Sequence, residues 1–165
     1  MTDAMAGVYA LWLVAGTLDF HLHRRSNIAQ TSGLPESTLH GLQLLLIGIA
    51  VVGWLALAAT YALVALLLPM AALHATLGYL DTASADGRRR ITPLEQHVHS
   101  ILDIAPWAFL AWVAWQARAD WRLLWQPAQS AIWWIVLVPS VLLAVVPWLL
   151  ELRRCLRARA SAERR

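Results

Sequence analysis

ESTLHGLQLLLIGIAVVGWLALAATYALVALLLPMAALHATLGYLD, residues 36–81, is the stretch whose reading decides the fold. Between Glu36 and Asp81 it contains no Asp, Glu, Lys or Arg. Its 46 residues would make a single helix about 69 Å long, against a bilayer hydrocarbon core of about 30 Å. The run therefore predicts two membrane spans joined by a tight turn, which falls between Gly53 and Tyr61. Pro69 then lies inside a span, where a membrane helix tolerates a proline kink.

Working outward, Tyr9 to Leu22 reads as the core of a first span, with flanks from Met5 to His23. It has no basic region before it and no small-residue cleavage site after it, so it reads as a retained span and not a signal peptide. Arg24 to Leu34 is a polar loop. Asp81 to Arg90 is a second loop, after which Thr92-Pro93-Leu94-Glu95 reads as a helix start. Thr92 is the N-cap, Pro93 the first helical residue, and Glu95 completes a capping box. A fourth span covers Ile101 to Ala117, followed by a Trp-rich loop from Asp120 to Gln129. A fifth covers Ala131 to Leu150, with Pro139 and Pro147 as kinks. The expectation is an all-α, polytopic bundle of five transmembrane helices, a single domain over 1–165 with residues 151–165 as a basic cytoplasmic tail.

Composition agrees. The chain is 59% hydrophobic and 14% charged, where a soluble domain carries roughly a quarter charged residues. All thirteen basic residues are Arg. Eleven fall on the side of the Arg24 loop, the Arg88 loop and the C-terminus; only Arg118 and Arg122 fall on the other. By the positive-inside rule the Arg-rich side is cytoplasmic and the N-terminus outside. Membrane orientation accounts for the positive charge, so nucleic acid is not an expected partner. The single Cys155 excludes an internal disulfide and a thiolate zinc or iron–sulfur site.

The chemistry lies at the cytoplasmic ends of the spans. Asp19/His23, Glu36/His40 and Glu95/His99 are each i, i+4 pairs, and His74/Asp81 is i, i+7. These spacings share a helix face. Four helix ends thus bring the same ligand types to one depth. Glu36 and Glu95 also suit the first turn of a helix, where the dipole favours a carboxylate. Asp19 and Asp81 lie near helix C-termini and border hydrocarbon, so a cation must compensate them: Arg24 or Arg88–Arg90, or a metal. A mixed His/carboxylate set on facing helices is how di-iron and di-manganese bundles are built, although those use Glu-x-x-His and this chain has Glu-x-x-x-His. The expected metal ligands are Asp19, His23, Glu36, His40, His74, Asp81, Glu95 and His99. Asp103 and His97 flank them as candidates for proton handling. His21 is a weaker candidate, two residues from both Asp19 and His23. This supply suits two transition-metal ions, iron first, with manganese or zinc as alternatives.

Asp19-Phe-His-Leu-His-Arg24, Thr31-Ser-Gly-Leu-Pro-Glu-Ser-Thr-Leu-His40 and Thr92-Pro-Leu-Glu-Gln-His-Val-His-Ser100 resemble segments of a family of small bacterial inner-membrane proteins. The resemblance covers residues 17–107. It implies an inner-membrane location and a functional core in these segments, and no particular reaction. The ligand set differs from that of histidine-box desaturases and hydroxylases, having fewer His and more carboxylates, and resembles it only in placing a di-metal site at the cytoplasmic membrane edge. The leading expectation is an oxidoreductase acting on a lipid or other membrane-dissolved substrate. The alternatives are a metal-dependent membrane hydrolase, or a metal or ion transporter or sensor. A transporter needs ionisable groups through the membrane depth, and spans two, three and five are apolar in the middle.

Overall fold

A computed structural model of the protein describes residues 3–164. Six α-helices build five spans: α1 (Asp3–Arg25), α2 (Gly33–Ala56), α3 (Tyr61–Ala85), α4 (Pro93–Gln116), and a fifth made of α5 (Ser130–Ser140), a π-helical turn (Val141–Val145) and α6 (Val146–Ala162). All five are long and apolar enough to cross a membrane, the build of a multi-pass membrane protein. Around the bundle α1 packs on α4, α4 on α3, α3 on α2, α2 on α6, and the fifth span closes the ring on α1. An apolar cluster of Ala50, Leu63, Leu67, Ala71, Leu110 and Val113 joins α2, α3 and α4. Large apolar side chains such as Val14 and Leu45 stay more than half exposed. Such a surface suits lipid, where helices associate by packing and hydrogen bonds and not by hydrophobic transfer.

The turn within the 36–81 run occupies residues 57–60, inside the expected window. Its signal is Thr60, whose hydroxyl accepts from Leu63 N–H at 3.3 Å and caps α3. The turn lies against the Trp-rich loop: Ala58 N–H donates to Leu124 O at 2.9 Å and Arg118 N–H to Ala59 O at 3.1 Å. Trp115, Trp121, Trp125 and Trp134, on and beside that loop, are exposed, as an interfacial belt requires. The other end carries the Arg-rich connections.

The α4 helix starts at Pro93, where the Thr92 capping box was expected to open it, with Glu95 N–H on Thr92 Oγ1 at 3.2 Å. Two boundaries differ from the sequence expectation. The α3 helix runs through Asp81 to Ala85. The stretch read as a basic tail continues α6 to Ala162, and its first residue, Glu151, is interior.

The fifth span bends where its prolines sit. Pro147 has no N–H, so the carbonyl of Leu143, four residues earlier, loses its α-helical donor. Thr17 Oγ1 donates to that carbonyl at 3.2 Å. The π turn between the prolines is a form concentrated at functional sites, and here it precedes the segment that carries Glu151.

Candidate metal centre

Each ligand pair stands where the helical period puts it. Asp19 and His23 end α1, Glu36 and His40 open α2, His74 and Asp81 lie in the second half of α3, and Glu95 and His99 open α4. All eight side chains are buried. Asp19, His23, Glu95 and His99 present four ligand atoms within 4.8 Å of one another, and His23, Glu36 and His40 form an overlapping group of three.

At the centre stands Glu151 of α6, 0% exposed. One carboxylate oxygen receives His23 Nδ1 at 3.1 Å and the other receives His40 Nδ1 at 2.9 Å. An ionised carboxylate only accepts hydrogen bonds, so both rings carry a proton on Nδ1, and each ring in its neutral form offers its Nε2 lone pair. The shared acceptor also aligns them: the rings stack with centroids 4.7 Å apart and planes 8° from parallel. A carboxylate behind a ligating imidazole is the arrangement that fixes tautomer and orientation in metal sites.

The free nitrogens face the other carboxylates. His23 Nε2 lies 3.4 Å from Asp19 Oδ1, 3.4 Å from Glu95 Oε1 and 3.7 Å from Glu36 Oε1. His99 Nε2 lies 3.0 Å from the same Asp19 oxygen, and His40 Nε2 lies 3.2 Å from Asp81 Oδ1. None of these close approaches has hydrogen-bond geometry. Asp19 Oδ1, Asp81 Oδ1 and the Nε2 atoms of His23, His40 and His99 are all buried without a hydrogen-bond partner. Buried polar atoms are almost always paired; a cluster of them converging on one another could hold a metal ion.

Comparison with protein families, with curated proteins and with solved structures finds no match. The chemistry rests on this geometry alone.

Among the described residues Arg89 is the one guanidinium within the cluster, its side chain 2% exposed. Gly87, at φ 70°, turns the chain back after α3 in a conformation that favours glycine, and Arg89 reaches inward. Its NH2 contacts Glu36 Oε1 at 2.5 Å and its NH1 contacts Glu95 Oε1 at 2.5 Å. Burial works against its charge, but Glu36 and Glu95 outweigh burial and raise its pKa above the ordinary value. Asp19 and Asp81, for which Arg24 or Arg88–Arg90 were candidate partners, instead face the imidazoles of His23, His99 and His40.

A cavity of about 60 Å³ adjoins the cluster, with Asp19, His40, His74, Asp81, His99 and Asp103 on its polar wall. His74 is 4% exposed and its Nδ1 has no partner. Asp103 is exposed and fits the notch left by Gly78, where an added Cβ would stand 2.6 Å from Asp103 Oδ1. His97, expected to handle protons, is exposed on the opposite face of α4 with its Nδ1 3.0 Å from Pro93 O. It lies outside the cluster, as does exposed His21.

Glu151 was missed by sequence reading because Arg153 and Arg154 follow it closely and drew it into the tail. The signal was present: it is the one acidic residue between Ser130 and Ala162, at the same depth as Asp19 and Asp81. The criterion that singled out those two applies equally to it.

Proposed function

We propose that this chain is a membrane metalloenzyme that holds two divalent transition-metal ions at the cytoplasmic edge of the bacterial inner membrane and oxidises a membrane-dissolved substrate. The observation that carries the metal reading is Glu151. It directs the free Nε2 atoms of two imidazoles toward carboxylate oxygens that have no hydrogen-bond partner. Charge balance supports the number. Asp19, Glu36, Asp81, Glu95 and Glu151 face a single guanidinium, Arg89, leaving four negative charges. Two divalent ions supply that charge without protonating the imidazoles. Asp19, His23, Glu95 and His99 would hold one ion. His40 and Asp81 would begin the second position, beside the cavity. A lone pair serves one ion, so His23 belongs to the first alone.

Imidazole and carboxylate donors suit iron or manganese, and an iron pair with an open position supplies oxygen-dependent oxidation. The protein's own part is to fix the rings through Glu151, to keep a compensating cation on Glu36 and Glu95 through Arg89, and to offer the cavity polar wall as a place for a reacting group. Asp103, at the mouth of that cavity, stands where protons can pass between the site and its surroundings. Ion transport is less well supported. Beyond Trp12 and Ile47 lies a chamber walled by Met5, Val51, Trp54 and Phe109 among others, with no ionisable carboxylate or imidazole to continue a path.

The test is metal analysis of detergent-purified protein, followed by reduction, admission of oxygen, and optical and Mössbauer spectra. Close to two ions per chain and an oxygen-dependent spectral change are expected. A spectroscopically silent zinc site shifts the reading to a hydrolase, in which the metal activates water. Metal-free protein whose thermal midpoint is unmoved by iron, manganese or zinc refutes the metal reading. Lipid extracts of cells with and without the protein then expose the substrate class.

A further inference from the structure

The cavity beside the cluster has a second wall, and it is apolar: Trp12, Leu44, Ile47 and Ala144. The same four residues line a much larger groove of about 880 Å³ on the outer face between α2 and the fifth span. The groove and the cavity thus share this wall. The floor of the groove is low because α2 carries Gly48, where an added Cβ would meet nothing within 4 Å. Trp148 borders it, held in place by its indole N–H donating to Ser37 O at 2.8 Å. An apolar groove on the lipid-facing side thus adjoins a polar pocket through four side chains.

The pocket is selective in its own right. Asp103, which lies on its wall outside the proposed ligand set, disfavours an anionic head group by like-charge repulsion. His74 lies on the same wall, more than nine-tenths buried, with Nδ1 unpartnered. A buried nitrogen of this kind gains from a hydrogen-bonding oxygen placed in the pocket.

We propose that the groove and cavity together bind a long-chain amphiphile with an uncharged oxygen head group, chain in the α2–α5 groove and head on His74. Fatty acids and anionic phospholipids are excluded as occupants of the pocket. The inference takes from the proposed metal centre only the role of the bound molecule as substrate; the binding stands on the groove and His74.

The experiment uses the full chain in nanodiscs and a sixteen-carbon alcohol bearing a mid-chain diazirine, with the matching carboxylic acid as comparison. After photolysis, labelled peptides are mapped by mass spectrometry and metal content is measured on the same samples. Labelling by the alcohol is expected on α2 and the fifth span around Leu44, Gly48 and Val141, competed by unlabelled hexadecanol. Gly48→Trp should reduce it to background without altering metal content. His74→Phe keeps the bulk and removes the nitrogen, and should weaken competition by the alcohol about tenfold. Equal, saturable labelling by the acid overturns the proposal. So does unchanged labelling in Gly48→Trp, or labelling centred on Pro106 and Phe109 in the inner chamber. Metal-free protein that still takes the alcohol in this pattern removes the metal reading and leaves the groove; metal-loaded protein that takes none does the reverse.

Discussion

Replacing Glu151 by Gln tests the centre most sharply, because it changes one charge and almost no volume. In the native protein both oxygens accept from Nδ1–H groups, those of His23 and His40, at 3.1 and 2.9 Å. A Gln amide has one acceptor oxygen and one NH2 donor. It can keep one imidazole as it is. The other ring then faces a donor, must accept on Nδ1, and moves its proton to Nε2, where a metal would bind. One of the two rings is therefore lost as a ligand whichever way the amide is turned. Loss of a carboxylate behind a ligating His typically costs 10–100-fold in metal affinity, about 1.4–2.7 kcal/mol. A ring forced into the wrong tautomer places Glu151→Gln at or beyond the upper end of that range. The assay is competition of purified protein against a chromophoric chelator, with the thermal midpoint of metal-free protein measured alongside. Glu151→Gln that binds metal as tightly as the native chain refutes the tautomer argument, and with it the role given to Glu151.

Three further outcomes are expected. Arg89→Gln leaves Glu36 and Glu95 buried without their cation, and breaking such a pair costs roughly 3–5 kcal/mol; metal-free protein should lose that stability in a denaturant or thermal titration, and added metal should restore part of it. His99→Ala should lower metal content per chain in elemental analysis, whereas His97→Ala, on the exposed face of α4, should leave it unchanged. Reporter fusions at Asp86 and Glu163 should report cytoplasm and one at Gln126 the outside; a periplasmic signal at Asp86 would put the whole centre on the other face of the membrane.

The fold was legible because its largest constraint is length. A charge-free run of the size of 36–81 admits only two spans, and the Thr92 capping box announced its helix from sequence. The turn was harder to place. Thr60 is a weak mark among Leu and Ala, and its capping role depends on the 117–129 loop lying over the turn. The His/carboxylate pairs were legible because i, i+4 spacing is a property of one helix. What joins them is not. The position of Arg89 follows from the left-handed turn at Gly87 and from which carboxylates meet it, and that is set by packing between helices. Glu151 could have been found by depth alone, but a neighbouring run of Arg outweighed a single carboxylate in that reading.

The π-helical turn at Val141–Val145 sets the rotational phase of the fifth span. Its outer half is anchored by Tyr9, whose hydroxyl bonds Val136 O and lies 3.0 Å from Ser140 Oγ; its inner half carries Glu151. Each α-helical residue advances the helix by about 100°, so an added or removed residue in this turn would swing Glu151 from the interior toward lipid while leaving the Tyr9 anchorage untouched. The register between the two halves is thereby set by the length of this turn. Change in the outer half, where the span meets the Trp-rich loop, can accumulate without re-aiming the carboxylate, and the length of five residues between them becomes as much a part of the site as any side chain in it.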